Sequence, residues 1–193
     1  MTIKPLVVAI AAPFSFMSGA MATTQAEYKA AKTTISTDYK AAKEKCSGLA
    51  ANAKDICMSE AKGMEKVAKA EAEAAYKPTA RNTETVAMAK ADAMYDTAKE
   101  KCDDQTGNAK DVCVKAAKAS HVKAKQDAKV AKVSSDASNT GNTRSDKVAD
   151  ARKDATSEKR DADYKLAKER CDALSGAPKD ACQNDAKVKY GMK

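Results

Sequence analysis

Apolar side chains recur at steps of three and four along most of the chain, the spacing that lines one face of an α-helix. A seam through Tyr28, Ala31, Ile35, Tyr39 and Ala42 predicts a first helix over 24–50. Cys57, Ala61, Met64, Ala68 and Ala75 predict a second over 53–76, broken by Pro78. Met88, Ala91, Tyr95, Ala98 and Cys102 mark a third from Asn82, and Cys113, Ala117, Ala124, Ala128 and Ala131 a fourth over 109–133. The tract 134–143, SSDASNTGNT, has the composition of a loop. A fifth helix over 144–174 is the most polar, with Val148, Ala155 and Ala162 as its seam before Tyr164, and its early half is expected to pack loosely or protrude. A short sixth covers 178–190.

One stretch occurs three times. Residues 39–62, 95–118 and 164–187 read YKAAKEKCSGLAANAKDICMSEAK, YDTAKEKCDDQTGNAKDVCVKAAK and YKLAKERCDALSGAPKDACQNDAK. Each holds two cysteines at the same spacing: Cys46 and Cys57, Cys102 and Cys113, Cys171 and Cys182. Between them lies a turn. Gly107 and Gly176 stand where a helix needs a left-handed C′ residue, with Ala51 at that place in the first copy. Asn108 and Asn52 read as N-caps of the return helix, and Pro178 as an N1 proline where Ala177 replaces the Asn. Asp55, Asp111 and Asp180 put negative charge near the positive end of each return helix. Each copy is thus the tip of a helical hairpin. The fold class is all-α: long antiparallel helices in three disulfide-stapled hairpins, as a coiled-coil-like bundle or a partly open array, the thin alanine seams favouring the open form. The spacing divides the chain into 1–22, 23–80, 81–142 and 143–193, a leader and three hairpins, the second with its loop.

The leader reading rests on Lys4, an apolar run over 6–16 and the small-residue site Ala20-Met21-Ala22, after which a mature chain starts at Thr23. The run is too short to cross a bilayer, which needs about 20 apolar residues, and no later stretch is apolar enough. Export to a bacterial periplasm is the expectation. In an exported chain an even number of evenly spaced cysteines implies disulfides. A ten-residue gap is not a zinc spacing, and His121 is the one histidine. No metal or other cofactor is expected.

Composition adds that the core is thin. The chain is 32% charged and 4% aromatic, without Trp. Alanine buries one methyl, and each buried carbon contributes about 0.8 kcal/mol. The formal charge is +8, and +7 once Lys4 leaves with the leader. Acidic residues are interleaved, as in the pairs Glu65–Lys69, Glu73–Lys77 and Asp161–Lys165. This is a solvated surface with some attraction for anionic envelope components. It lacks the concentrated basic face and stacking aromatics of a nucleic-acid binder.

No phosphate loop, nucleophile elbow or H-E-x-x-H motif is present, so no enzyme activity is expected. His121 reads as a solvent-exposed residue, Asp103 and Asp104 as turn residues, and Tyr39, Tyr95 and Tyr164 as spacers of the seams. Met64 and Met88 read as core filling, and Met58 and Met94 as neighbours of the seam with a weak hint of soft-metal chemistry.

The pattern Y-x-x-A-K-x-x-C followed by G-N-A-K-D-x-C, clearest over 95–113, resembles a group of alanine- and lysine-rich exported proteins of Gram-negative bacteria. Some carry the label of cell-envelope biogenesis. The resemblance implies an exported helical protein of the envelope and carries no activity with it. The function expected is a non-enzymatic periplasmic scaffold or binding protein of the envelope or stress response, with an unknown protein or an anionic envelope component as partner. A periplasmic chaperone or protectant for unfolded chains is the second expectation, and a soft-metal binder the third. The pattern fixes no oligomeric state.

Overall fold

A computed structural model describes residues 22–192 apart from 137 and 139. The leader expected over 1–22 lies, but for its last residue, outside the described residues. Six helices follow: α1 Gln25–Ser47, α2 Ala51–Tyr76, α3 Ala80–Cys102, α4 Gly107–Ser135, α5 Gly141–Cys171 and α6 Ala177–Tyr190.

The helix starts follow local chemistry. α1 opens on a capping box that the apolar seam does not reveal. The Thr24 hydroxyl accepts from the Glu27 amide at 3.2 Å, and the Glu27 carboxylate accepts from the Thr24 amide at 2.7 Å. Those bonds hold the Glu27 carboxyl below the ordinary value. Thr79 caps α3 by accepting from the Asn82 amide at 3.1 Å, so the break at Pro78 doubles as a start signal. α6 closes at Gly191 in the left-handed conformation, with the Met192 amide reaching the Lys187 carbonyl at 2.9 Å.

Each helix packs on its neighbours in sequence and, among the described residues, on no other helix. α2 lies between α1 and α3, α3 between α2 and α4, and so on to α6 at the far edge. The chain is therefore a single-layer row of antiparallel helices, the open form of the two arrangements. Its core matches the composition. Among the described residues the buried positions are Ala61, Gly63, Ala91, Ala119, Ala128, Ala155, Ala162 and Ala186, with Cys46, Cys102 and Cys171, and Gln126 as the one polar addition. α5 packs on α4, but its buried positions begin at Ala155, and the stretch before it is half-buried at Arg144, Val148 and Ala151 and otherwise exposed, in keeping with the loose early half expected. The expected loop over 134–143 shrinks to the few residues between Ser135 and Gly141.

Small residues set the helix spacing. At Gly63 a Cβ would stand 2.7 Å from the Ala93 Cβ and 3.3 Å from its Cα. Only glycine admits α3 this close to α2.

The turns differ from the expectation in one respect. Gly107 and Gly176 do adopt positive φ, 56° and 60°, but they do not close the preceding helices. α3 and α5 end at Cys102 and Cys171, where three-residue bonds tighten the chain: Asp103 N to Glu100 O at 3.1 Å and Asp172 N to Glu169 O at 3.0 Å. The left-handed residue instead turns the chain into the next helix. Ala51 fills that place in the first copy at φ 48°, a conformation that costs a non-glycine residue roughly 1–2 kcal/mol.

Candidate functional site

The first constellation is the row of hairpin tips. Cys46 is bonded to Cys57, Cys102 to Cys113 and Cys171 to Cys182, with Cα separations of 5.5, 5.6 and 5.7 Å. Each bond joins an odd helix to the following even one, so all three lie at the same end of the row. Disulfides persist in oxidising compartments, so the folded chain belongs outside the reducing cytosol. Among the described residues no helix is long and apolar enough to cross a membrane.

The asparagines beside these tips are not caps. Asn52 and Asn108 lie inside α2 and α4, and their side chains reach the neighbouring hairpin. Asn52 Nδ2 donates to the Glu100 carbonyl and to Asp104 Oδ1, both at 2.8 Å. Asn108 Nδ2 donates to the Glu169 carbonyl at 3.0 Å. The Glu100 and Glu169 acceptors are last-turn carbonyls that a helix-terminal bond leaves with a free lone pair. The two ends of the row fit this pattern. In the first copy the equivalent Glu44 carbonyl accepts from its own Ser47 hydroxyl at 2.6 Å. In the third copy the equivalent donor position is Ala177. The Asn positions thus fix the register between hairpins. Asp55 and Asp111 fall outside the first turns of α2 and α4, whereas Asp180 is in the first turn of α6. Replacing Asn52 or Asn108 by Ala should cost about 1 kcal/mol each. Urea unfolding should show the loss, and Ala177→Asn, with no further helix among the described residues to donate to, should gain nothing.

His121 is the second constellation, and it is not a surface residue. Its side chain is 10% exposed between α3 and α4. Nε2 lies 2.5 Å from Asp92 Oδ1, and the ring stacks on Tyr95 at 4.6 Å between centroids. Lys125 stands 3.6 Å from the same carboxylate, and Lys118 and Lys99 lie over the Tyr95 ring. The signal was in the spacing: His121 is four residues after Ala117 and eight after Cys113, on the α4 seam. Burial pushes the Asp92 carboxyl up, but the His121 hydrogen bond and the Lys125 charge outweigh it, and the group sits below its ordinary value. A depressed carboxylate stabilises the fold above its unfolded pKa, and this contribution is lost as pH falls through the folded one. Melting temperature should therefore fall as the pH drops below the ordinary aspartate value of about 4, and Asp92→Asn should flatten part of that slope.

The third constellation is a groove on one face of α2 and α3, with a volume of ≈740 Å³. Gly63, Val67, Ala68, Ala93 and Ala98 form its floor and walls, and Met64 and Met94 stand beside it. Met64 is 61% exposed and Met94 72% exposed. The core role expected of Met64 is therefore overturned: α2 meets α1 through Ala61 and α3 through Gly63, and Met64 projects between those contacts. Met58 and Met88 are half-buried. Two ion pairs frame the groove, Glu60–Lys101 at 3.2 Å and Glu71–Lys90 at 2.7 Å.

The remaining candidates fall into place around these three. Asp103 takes the Lys110 ammonium at 2.9 Å across the second tip, and Asp172 takes Lys179 at 2.8 Å across the third. Asp104 receives Asn52. Tyr28 stacks on Tyr76 at 4.8 Å, and Tyr164 meets Tyr190 edge-on at 6.5 Å. Tyr39 lies under Lys43. The pairs Glu65–Lys69 and Glu73–Lys77 form at 2.7 and 3.3 Å, while Asp161 lies 3.7 Å from Arg160. Among the described residues no group of three or more His, Cys, Asp or Glu side chains is placed to hold a metal ion. No protein-family model, curated protein or solved structure matches the chain.

Proposed function

We propose that the chain is an exported, non-enzymatic scaffold or binding module of the bacterial cell envelope, working in the periplasm in its disulfide-bonded form. The observation that carries this reading is the single-layer row. A row buries little and leaves most of each inner helix on one of two broad faces, which suits a protein whose work is contact. The stapled tips and the Asn register hold those faces in fixed relation across three hairpins. The spread of exposed lysines supports an anionic envelope component or an acidic protein surface as partner.

The exposure of Met64 and Met94 favours the chaperone as a second reading, since flexible thioethers suit irregular apolar segments. One pair of measurements separates the two. The mature oxidised chain, immobilised, should retain a defined envelope component from a periplasmic extract, and the reduced chain should not. Suppression of aggregation of a reduced client protein, with no defined component retained, favours the chaperone instead.

A further inference from the structure

We propose that the α2–α3 groove is the face on which two copies of this chain pair, with the two-fold axis parallel to the helices. The argument begins with the apolar surface. Met64 and Met94 are, with Val188, the most exposed large apolar side chains among the described residues, and these two flank one groove. A partner that fills the groove must also meet its rims, and their charges are sorted. The α2 rim carries Glu60 and Glu71, and the α3 rim carries Lys101 and Lys90 at the same two levels.

That sorting selects both the partner and its orientation. A second copy turned about an axis along the helices lays its α2 over the first copy's α3. Glu60 then stands over Lys101 and Glu71 over Lys90, at four places by symmetry, and the methionines of each copy enter the other's groove. A two-fold across the helices would set Glu60 over Glu71 and Lys90 over Lys101, like charge on like. An isologous interface needs a self-complementary patch, and this face is self-complementary in one of those two orientations. The pairing is independent of which partner the row engages elsewhere.

Sedimentation equilibrium of the mature oxidised chain should give a concentration-dependent monomer–dimer equilibrium. Met64→Lys with Met94→Lys should weaken it by about 100-fold, with helical circular dichroism unchanged because both side chains are exposed. Lys90→Glu with Lys101→Glu makes an all-acidic face, and Glu60→Lys with Glu71→Lys an all-basic one. Exposed ion pairs contribute little to folding, so both variants keep the row. Each should be monomeric alone, and the two mixed should form a 1:1 heterodimer. A wild type that stays monomeric, a dimer that survives the methionine changes, or a mixture that stays monomeric overturns the proposal. A monomer whose groove is protected only by an added unfolded client overturns it too and gives the groove to the client.

Discussion

Reduction of the three disulfides lowers the melting temperature of the oxidised chain by roughly 20–30 °C, the largest effect expected of any single treatment. Each bond closes a short loop and contributes about 3 kcal/mol in the chain-entropy account, against a typical total of about 5–15 kcal/mol for a domain. The rest of the structure has little in reserve. No side chain larger than cysteine is fully buried among the described residues, and isolated helices of this length are marginal in water. The reduced chain should remain partly helical with loose association between helices. Replacing Cys102 and Cys113 together by Ala should loosen α3 against α4 more than it loosens the other two pairs, because contacts run only between sequence neighbours. Circular dichroism melts with and without reductant test the first statement, and hydrogen exchange resolved by helix tests the second. An unchanged melting temperature on reduction would mean that the alanine seams hold the row unaided.

The second large effect is at Gly63. An added methyl there would stand 2.7 Å from the Ala93 Cβ, and the backbone beside it leaves no flexible tip to move aside. The helices must separate, and with them the ladder that joins the first two hairpins: Asn52 to Glu100, Glu60 to Lys101 and Glu71 to Lys90. Gly63→Ala should cost about 1–2 kcal/mol and Gly63→Leu about 3 kcal/mol, the upper end of ordinary overpacking. Helix propensity works against this outcome, since alanine favours a helix interior over glycine by about 1 kcal/mol. A loss despite that gain identifies close approach as the cause. Urea unfolding is the measurement. A Gly63→Ala variant more stable than the parent would show that α2 and α3 have room to part.

Much of this architecture was legible in the residues, and the failures share a cause. Edge helices pack on one side, so a single seam describes them. Tyr28, Ala31, Ile35, Tyr39 and Ala42 of α1 are all half-buried as the spacing requires. An inner helix of a flat row needs two seams on opposite sides, and a reading that follows one seam loses the other. In α4 the seam residues Ala124 and Ala131 are exposed while Ala119 and Gln126 are buried. Met64 was misjudged for the same reason, whereas His121 lies on the followed seam itself, between Ala117 and Ala124, and its polar residue type concealed it. The tips raise a different problem. Asn before a helical run is a cap by residue type, and nothing local separates a cap from a side chain that reaches the next hairpin. The distinguishing sign was Ala177, and Pro178 offered a sufficient local explanation for it.

The hairpin tips also bear on how the chain is made. The first cysteine of each pair is followed by its own partner as the next cysteine in the chain, eleven positions on in all three cases. A chain that emerges N-terminus first presents Cys46 and then Cys57 before Cys102 has appeared. An oxidant that joins cysteines in order of arrival therefore makes three correct bonds and no wrong one, and an isomerase has nothing to rearrange. Each of the first two hairpins, once closed, offers its Asn to the helix that emerges next. Assembly can proceed in one direction, with every finished segment serving as the template for the one behind it.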